Sequence, residues 1–583
     1  MRLVWRSEVP AQLRDSWNAL VFLMEQPEVF FTSEWALAVT RAFGTEIIPW
    51  IATAYEGEEL VGVAALARPS PNEAVFLAGN TADYCDFISR PEKRQELVAQ
   101  VLGGLKEQGV RSIVFANLPE DSATVAALKG NSIFRSFVRG GYECAQVQLG
   151  SPEERQQLSQ SLLKKKVLRR ALAALGQLGP VTLRHDQGGG SHAKALDEFF
   201  VMHVARFLRT GRISNLAMPE RRRFLTELAR LLGERGWFDL MNLYAGDRPV
   251  SSNYGFRFHG SWFWYQPTLD NELEDLSPGF CLLAKIVEDA CNDPEAQMVD
   301  LGLGAEDYKE RFANAQRMTL HATLSVKASA HWKAMVRYRA AEAVKRRPAL
   351  ESAARRVQVG IARGRQRVRK NGVAGTLAWA GKRLRRSLAS EEEVLLFRWP
   401  GASASPEPDE GLTSLDWTML ARAAMRYSDD RETLDYLLRS AARFHSRMHA
   451  GYALLGPEGG AQHFAWAAPY EGFTMDELGT VLRAPSPSSV MIFDCWTPCA
   501  LRGRGLYGRA IRQLAARLTA LGSEVWIFSA AANPASVAGI EKAGFHREVA
   551  LVRRKIFSLG RIRQERRQDG QEEAEALAKE AVR

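Results

Sequence analysis

The chain has 583 residues, 46% of them hydrophobic and 25% charged, with a formal net charge of +10. That length exceeds one hydrophobic core and predicts three or four globular units of ordinary soluble composition. Its longest apolar runs fall far short of the roughly 20 residues of a bilayer span, and MRLVWRSEVPAQ lacks the apolar block of a signal peptide, so a cytoplasmic protein is expected.

From the N-terminus to residue 326, short apolar runs such as IIPWIATAY and SIVFANL alternate with amphipathic stretches such as FLTELARLL and CLLAKIVEDA. This mixture predicts α/β (α+β) units rather than a bundle or a β-sandwich. A Ser-Pro-Glu signature at Ser151 opens a helix-prone run and suggests a boundary there, giving units 1–155 and 156–326. QMVDLGLGAEDYKERF reads as a strand ending in Asp300, a glycine turn, and a helix carrying Tyr308 and Lys309. That polar cluster is a candidate substrate site, with a capped turn as the alternative. Trp262, Trp264 and Tyr265 offer rings for a sugar or for a core, and Asp83, Tyr84 and Asp86 are polar candidates for substrate contact.

The positive charge is local. Residues 327–386 hold 18 Lys and Arg against two acids, Glu342 and Glu351, so the remainder of the chain is net negative. Rich in Ala and Arg, 327–390 predicts a basic helical connector. Three roles are open to it: a solvated linker, attachment to an anionic membrane face through Trp332, Trp379 and Leu384, and nucleic-acid binding, the least supported for want of a reader motif. The second role implies a peripheral position at the inner membrane face.

The last unit, 391–560, precedes a charged tail, 561–583. SSVMIFDCW has the β-branched and aromatic character of a central strand, followed by Arg502-Gly503-Arg504-Gly505-Leu506-Tyr507-Gly508. After that loop Leu506, Ala510, Ile511, Leu514, Ala515 and Leu518 fall on one helical face, with Arg509, Arg512, Gln513 and Arg517 opposite. Strand, glycine loop and helix together suit an anion, because N–H groups at a helix start lack intrahelical partners and sit at the positive end of the dipole. A further strand, SEVWIFSA, then leads to AANPASVAGIEKAGF.

In these motifs the C-terminal region resembles the GNAT superfamily of acyl-CoA-dependent acyltransferases. The resemblance implies acetyl-CoA or another acyl-CoA as co-substrate and no metal. It implies that Arg502, Gly503, Arg504, Gly505, Leu506 and Gly508 hold the CoA pyrophosphate, and that Asn533 faces the pantetheine arm. Two positions depart from the family pattern. Tyr507 stands where Gly or Ala is preferred, which leaves Gly508 to provide the close approach, and Ile540 stands where many members carry the Tyr that protonates the leaving thiolate. Asp494 on the strand is the leading candidate for proton transfer, with a structural carboxylate as the alternative. Glu477, Tyr507 and Cys495 are weaker candidates, and Glu477 reads better as a helix-surface acid than as a catalytic one.

The segments FFTSEWALAVTRAFG, TADYCDFISRP, LSPGFCLLAKIVEDA and MVDLGLGAEDYKERFA resemble the BioF2-like, or CelD/BcsL-type, acetyltransferase family. That resemblance implies two tandem GNAT-like folds with mixed central sheets flanked by helices, as in the FemAB peptidyltransferases, and a connection to cellulose or exopolysaccharide production. The implied acceptor is a small molecule or polysaccharide precursor. A non-catalytic assembly protein and an aminoacyl-tRNA-dependent transferase are the alternatives.

Overall fold

The computed structural model describes residues 1–44, 47–187, 192–304, 306–345, 372, 389–401, 411–444, 448–556 and 559–566. It divides into two units, one of Met1–Arg206 with Ser214–Arg347, the other built on Pro348–Arg583.

In the first unit the strands are β1 (Arg2–Arg6), β2 (Ile48–Glu56), β3 (Glu59–Ser70), β4 (Glu73–Phe76), β5 (Ile88–Ser89), β6 (Ser112–Pro119), β7 (Arg135–Gln148), β8 (Val181–Asp186), β9 (Phe238–Ala245), β10 (Arg248–Phe258), β11 (Ser261–Leu269), β12 (Met298–Leu303) and β13 (Ala315–Ser325). The helices are α1 (Arg14–Val21), α2 (Ser33–Phe43), α3 (Pro91–Glu107), α4 (Ala123–Gly130), α5 (Pro152–Lys164), α6 (Lys166–Gly176), α7 (His192–Arg209), α8 (Pro219–Gly233), α9 (Pro278–Asn292), α10 (Asp307–Glu310) and α11 (Ala328–Lys345). Ser151 caps α5 in a capping box with Glu154, so the Ser-Pro-Glu signature marks a helix start.

All these strands join one mixed sheet, ordered β1-β2-β3-β4-β6-β13-β7-β12-β11-β10-β9-β8, with β5 on β3. Two of its pairs are parallel, β4 with β6 and β11 with β12. Each comes after an antiparallel meander and is bridged by a helix, α3 or α9, so the sheet contains the same motif twice. The last strand of each half is exchanged. β7 comes after β6 in the chain but pairs with β12, while β13 comes after β12 but pairs with β6. β7 and β13 also pair with each other, which welds the halves into one sheet. The duplication is invisible in the sequence and plain in the topology. Around α9 the core is apolar, with Trp262, Trp264, Leu282, Leu283, Ile286 and Val287 buried together.

The second unit holds β14 (Ala389–Arg398), β15 (Leu412–Ser414), β16 (Ala450–Leu455), β17 (Ala461–Pro469), β18 (Thr474–Met475), β19 (Thr480–Val481), β20 (Ser489–Trp496), β21 (Glu524–Ala530), β22 (His546–Ile556) and β23 (Leu559–Arg566). Its helices are α12 (Trp417–Arg426), α13 (Arg431–Arg443), α14 (Leu506–Ala520) and α15 (Pro534–Lys542). The sheet runs β15-β16-β17-β20-β21-β14-β22-β23, and β18 pairs β19 separately. Again a meander ends in a parallel pair, β20 with β21, joined through α14. The motif therefore occurs three times in the chain.

Three expectations change. The tail expected from residue 561 begins as strand, since β23 runs to Arg566 against β22, and residues 567–583 lie outside the described residues. Most of the basic connector also lies outside them, its first part forming α11. Gln513, assigned to the polar face of its helix, is buried with Ile511 and Leu514.

Candidate functional site

Each parallel pair is short. β4 and β6 pair over three positions, to Val75 with Val114; β11 and β12 over three, to Phe263 with Asp300; β20 and β21 over four, to Ile492 with Ile527. Beyond those points the strands have no partner in each other, and a fork opens in the sheet. The three forks differ in the connection that leaves the first strand. After β4 the chain reaches α3 through Arg90-Pro91, and after β11 it reaches α9 through Ser277-Pro278. Only after β20 does it carry the Arg-Gly-Arg-Gly loop.

In that loop Gly503 and Gly505 have φ of 79° and 74°, a conformation that costs a side-chain-bearing residue about 1–2 kcal/mol. Gly505 is the N-cap of α14 and no side chain caps the helix, so the first-turn N–H groups of Leu506, Tyr507 and Gly508 are left for a ligand. A Cβ at Gly503 or Gly505 would meet nothing within 4 Å, so their backbone faces open space. The loop, the start of α14 and the fork border one cleft of about 1100 Å³. Among the described residues Arg502, Arg504, Arg509, Arg512 and Lys542 all line it, against a single acid, Asp494. Such a cleft attracts anions.

α13 sets the strand side of the cleft. Asp494 sits at a bulge of β20 against β17 with φ of 43°, unusual for a residue with a side chain. Tyr436 of α13 donates its hydroxyl to the Asp494 carbonyl at 3.0 Å and stacks on Trp496. Arg443, at the end of the same helix, forms an ion pair with the Asp494 carboxylate. Asp430, capping α13, accepts the Cys499 N–H at 3.0 Å and so ties the loop to the helix. Arg502 donates to the Thr497 carbonyl and lies over the Trp496 ring.

On the helix side, the half-buried Tyr507 lies against α15, its hydroxyl 3.2 Å from Ser536 Oγ. Burial pushes its phenol well above the usual range, which keeps it protonated. Gly508 lines the cleft and also faces α15, where a Cβ on it would come 3.7 Å from the Gly539 carbonyl. Asn533 borders the cleft but its side chain caps α15, accepting the Ser536 N–H at 3.2 Å. Ile540 is fully buried in the core. Cys495 is half-buried, and desolvation pushes its thiol up, so it holds its proton. Glu477 lies elsewhere: it is exposed in the turn between β18 and β19, neither on a helix nor on the cleft.

His463 of β17 is the residue that the sequence reading missed. It is 1% exposed, lines the cleft, shares a 2.7 Å hydrogen bond with Thr497 through Nδ1, and has no partner for Nε2 among the described residues. Burial lowers it to about 3, so the ring is neutral. Its only signal in the sequence is a lone His inside the apolar strand AQHFAWAA.

The N-terminal candidates divide into two groups. Asp300, Tyr308, Lys309 and Trp264 come together at the second fork. The Asp300 carboxylate is fully buried and accepts from Tyr84 at 2.8 Å, Gln146 at 2.9 Å and the Gly302 N–H at 2.8 Å. Lys309 is buried, donates to the carbonyls of Leu303 and Gly304, and pairs with Glu306 at 2.6 Å, closing the turn. Trp264 corrects the sugar-stacking expectation: its ring is buried and its indole N–H donates to the Tyr308 hydroxyl at 3.1 Å. Trp262 is likewise core. Asp83, half-buried beside this group, is raised to about 7 by burial and by Asp300. Asp86 is apart, buried and paired with Arg94 at 3.1 Å, with Thr124 and the Phe87 N–H as further donors. It is a carboxylate taken up by structural partners.

Among the described residues no group of three or more His, Cys, Asp or Glu is placed to hold a metal, and no helix is long and apolar enough to cross a membrane.

Residues 164–310 match the family model described as an acetyltransferase (GNAT) domain, a span that contains the second fork. No curated protein matches the chain. Among solved structures it is similar to FemX, at 11% identity over 55% of this chain and 97% of that one, TM-score 0.39. It is also similar to a tandem GNAT protein from the clavulanic acid biosynthesis pathway, at 12% over 56% and 100%, TM-score 0.34. A GCN5-related N-acetyltransferase from Sphaerobacter thermophilus is similar at 14% over 55% and 95%, TM-score 0.28. The match to the family model agrees with the GNAT-like unit that the sequence implies there, in an α/β chain of the mixed-sheet class.

Proposed function

We propose that the chain is an acyltransferase that takes acetyl-CoA, or another acyl-CoA, into the cleft at α14 and transfers the acyl group to an amine or hydroxyl of a small metabolite or polysaccharide precursor. One observation carries the reading: the only Arg-Gly-Arg-Gly helix start in the chain stands at the mouth of a fork between two parallel strands, with five basic residues around it.

The residues fit such a co-substrate. N–H groups of Leu506, Tyr507 and Gly508, with Arg502 and Arg504 beside them, hold a pyrophosphate. Beyond Ile492 the β20 backbone has no pairing with β21, so an extended arm with amides of its own can lie along it as a strand would. The thioester then comes to the bulge at Asp494. As the acceptor attacks the carbonyl carbon, its proton passes to the Asp494 carboxylate, directly or through water, and the Arg443 pair fixes that carboxylate. The C–S bond breaks, and the thiolate takes a proton from the Tyr507 hydroxyl, which Ser536 orients. Tyr507 so replaces the absent Tyr at 540 from the neighbouring helix.

Calorimetry with acetyl-CoA and the full chain tests the reading. Binding is expected, and Gly505→Glu, which sets an anion in the cradle, should abolish it. No binding by the wild type removes the assignment, and binding without thiol release across amine and sugar acceptors supports a ligand-binding assembly protein instead.

A further inference from the structure

A separate surface lies on the N-terminal unit, at α11. The helix packs on the sheet through one face: the Phe137 ring of β7 meets His331 and Tyr338 edge-on at 6.3 and 5.8 Å, and Arg139 lies over the Tyr338 ring. His331, Ala334, Met335 and Tyr338 are the half-buried positions, as a 3.6-residue period requires. The opposite face is in solvent. On it Trp332 is 61% and Val336 56% exposed, one turn apart, with Arg339 on the same stripe and Lys333 and Arg337 alongside. Val326, just before the helix, is 42% exposed as well.

An indole and a valine standing side by side in water are costly unless something covers them. The surrounding charge says what: residues 327–345 hold five basic residues and one acid, and the sequence stays basic to residue 386. Lys333, Arg337 and Arg339 supply the cations that an anionic headgroup layer attracts, and the exposed Trp332 ring between them suits the boundary of such a layer. We infer that α11 docks the protein on an anionic membrane surface, with Trp332 and Val336 entering the headgroup region and Lys333, Arg337 and Arg339 meeting lipid phosphates. No described helix is long and apolar enough to cross a bilayer, and α11 carries three cations on its outer face, so the docking is peripheral. The acyl acceptor reading does not depend on it.

The test is co-sedimentation of the full chain with phosphatidylcholine vesicles, with and without phosphatidylglycerol. Binding is expected only to the anionic vesicles, and Trp332→Glu/Val336→Glu should weaken it about tenfold or more, as should Lys333→Glu/Arg337→Glu. All four side chains are exposed, so the variants keep the fold, which circular dichroism checks. The proposal is overturned if the wild type leaves anionic vesicles in the supernatant, or if Trp332→Glu/Val336→Glu binds them as the wild type does. It is equally overturned if the variants lose affinity for a short RNA while vesicle binding is absent, since the face then serves a nucleic acid.

Discussion

The ring of Tyr507 occupies the space that a side chain at Gly539 would need: a Cβ there would lie 2.8 and 2.9 Å from two of its ring carbons. The glycine of α15 thus lets a tyrosine from α14 reach Ser536, one turn before the position where Ile540 has withdrawn into the core. If Tyr507 supplies the proton to the leaving thiolate, Tyr507→Phe keeps the packing and removes the donor. Its kcat should fall about a hundredfold while acetyl-CoA affinity stays within a factor of two or so. Gly539→Ala should reproduce the loss by displacing the ring, at a stability cost of about 1–3 kcal/mol. Thiol-release kinetics beside calorimetry decides it, and an unchanged kcat in Tyr507→Phe removes Tyr507 from the chemistry.

The cradle makes a second, graded prediction. A Cβ at Gly505 meets no atom within 4 Å, so Gly505→Ala pays only for its backbone at φ 74°. It should cost about 1–2 kcal/mol of stability and leave a soluble protein, against which the loss of binding in Gly505→Glu can be read as electrostatic. Because five cations border the cleft, the Kd for acetyl-CoA should also rise steadily with ionic strength. A Kd indifferent to salt places the pyrophosphate away from the arginines.

The sequence makes this site legible where its signals are local. The glycine loop, the apolar face of α14 and the strand before it lie within about 30 residues, and each obeys backbone or periodicity rules. The features that escape are carried by distant pairs. Arg443 reaches Asp494 across 51 positions and His463 reaches Thr497 across 34, and nothing in either segment announces the other. Trp264 and Asp86 mislead for the converse reason: an aromatic or acidic residue looks the same in sequence whether it faces substrate or a buried partner. The strand exchange of β7 and β13 is equally hidden, since pairing between residues 135–148 and 315–325 is decided by the whole sheet.

His463 gives a pH signature. Buried, it is lowered to about 3 from the 6.5 of an exposed imidazole, so between these values the unfolded chain binds a proton that the folded chain does not. Its contribution to stability is complete above pH 6.5 and is lost as the pH falls toward 3. From pH 7 to pH 5 the loss is about 2 kcal/mol. Urea titrations of the wild type and His463→Gln at the two pH values should differ by that amount in their pH dependence. Activity, by contrast, should show no step assignable to His463 between pH 5 and 9, because the ring stays neutral throughout.

Asp86 and Arg94 predict a stability effect without a catalytic one. Arg94 is wholly buried and shares its donors among Asp86, Glu25, Ser89, Ser122 and Thr124. Asp86→Ala leaves that guanidinium without its buried counter-charge, a change that costs about 3–5 kcal/mol in comparable pairs. The N-terminal unit should therefore melt several degrees lower, resolved as a separate transition in calorimetric scans. Acetyl-CoA binding at the α14 cleft, built wholly from the second unit, should be unaltered at temperatures below that transition. If Asp86→Ala leaves the melting profile unchanged but impairs transfer to an acceptor, then Asp86 serves substrate after all and the buried pair is not what holds it.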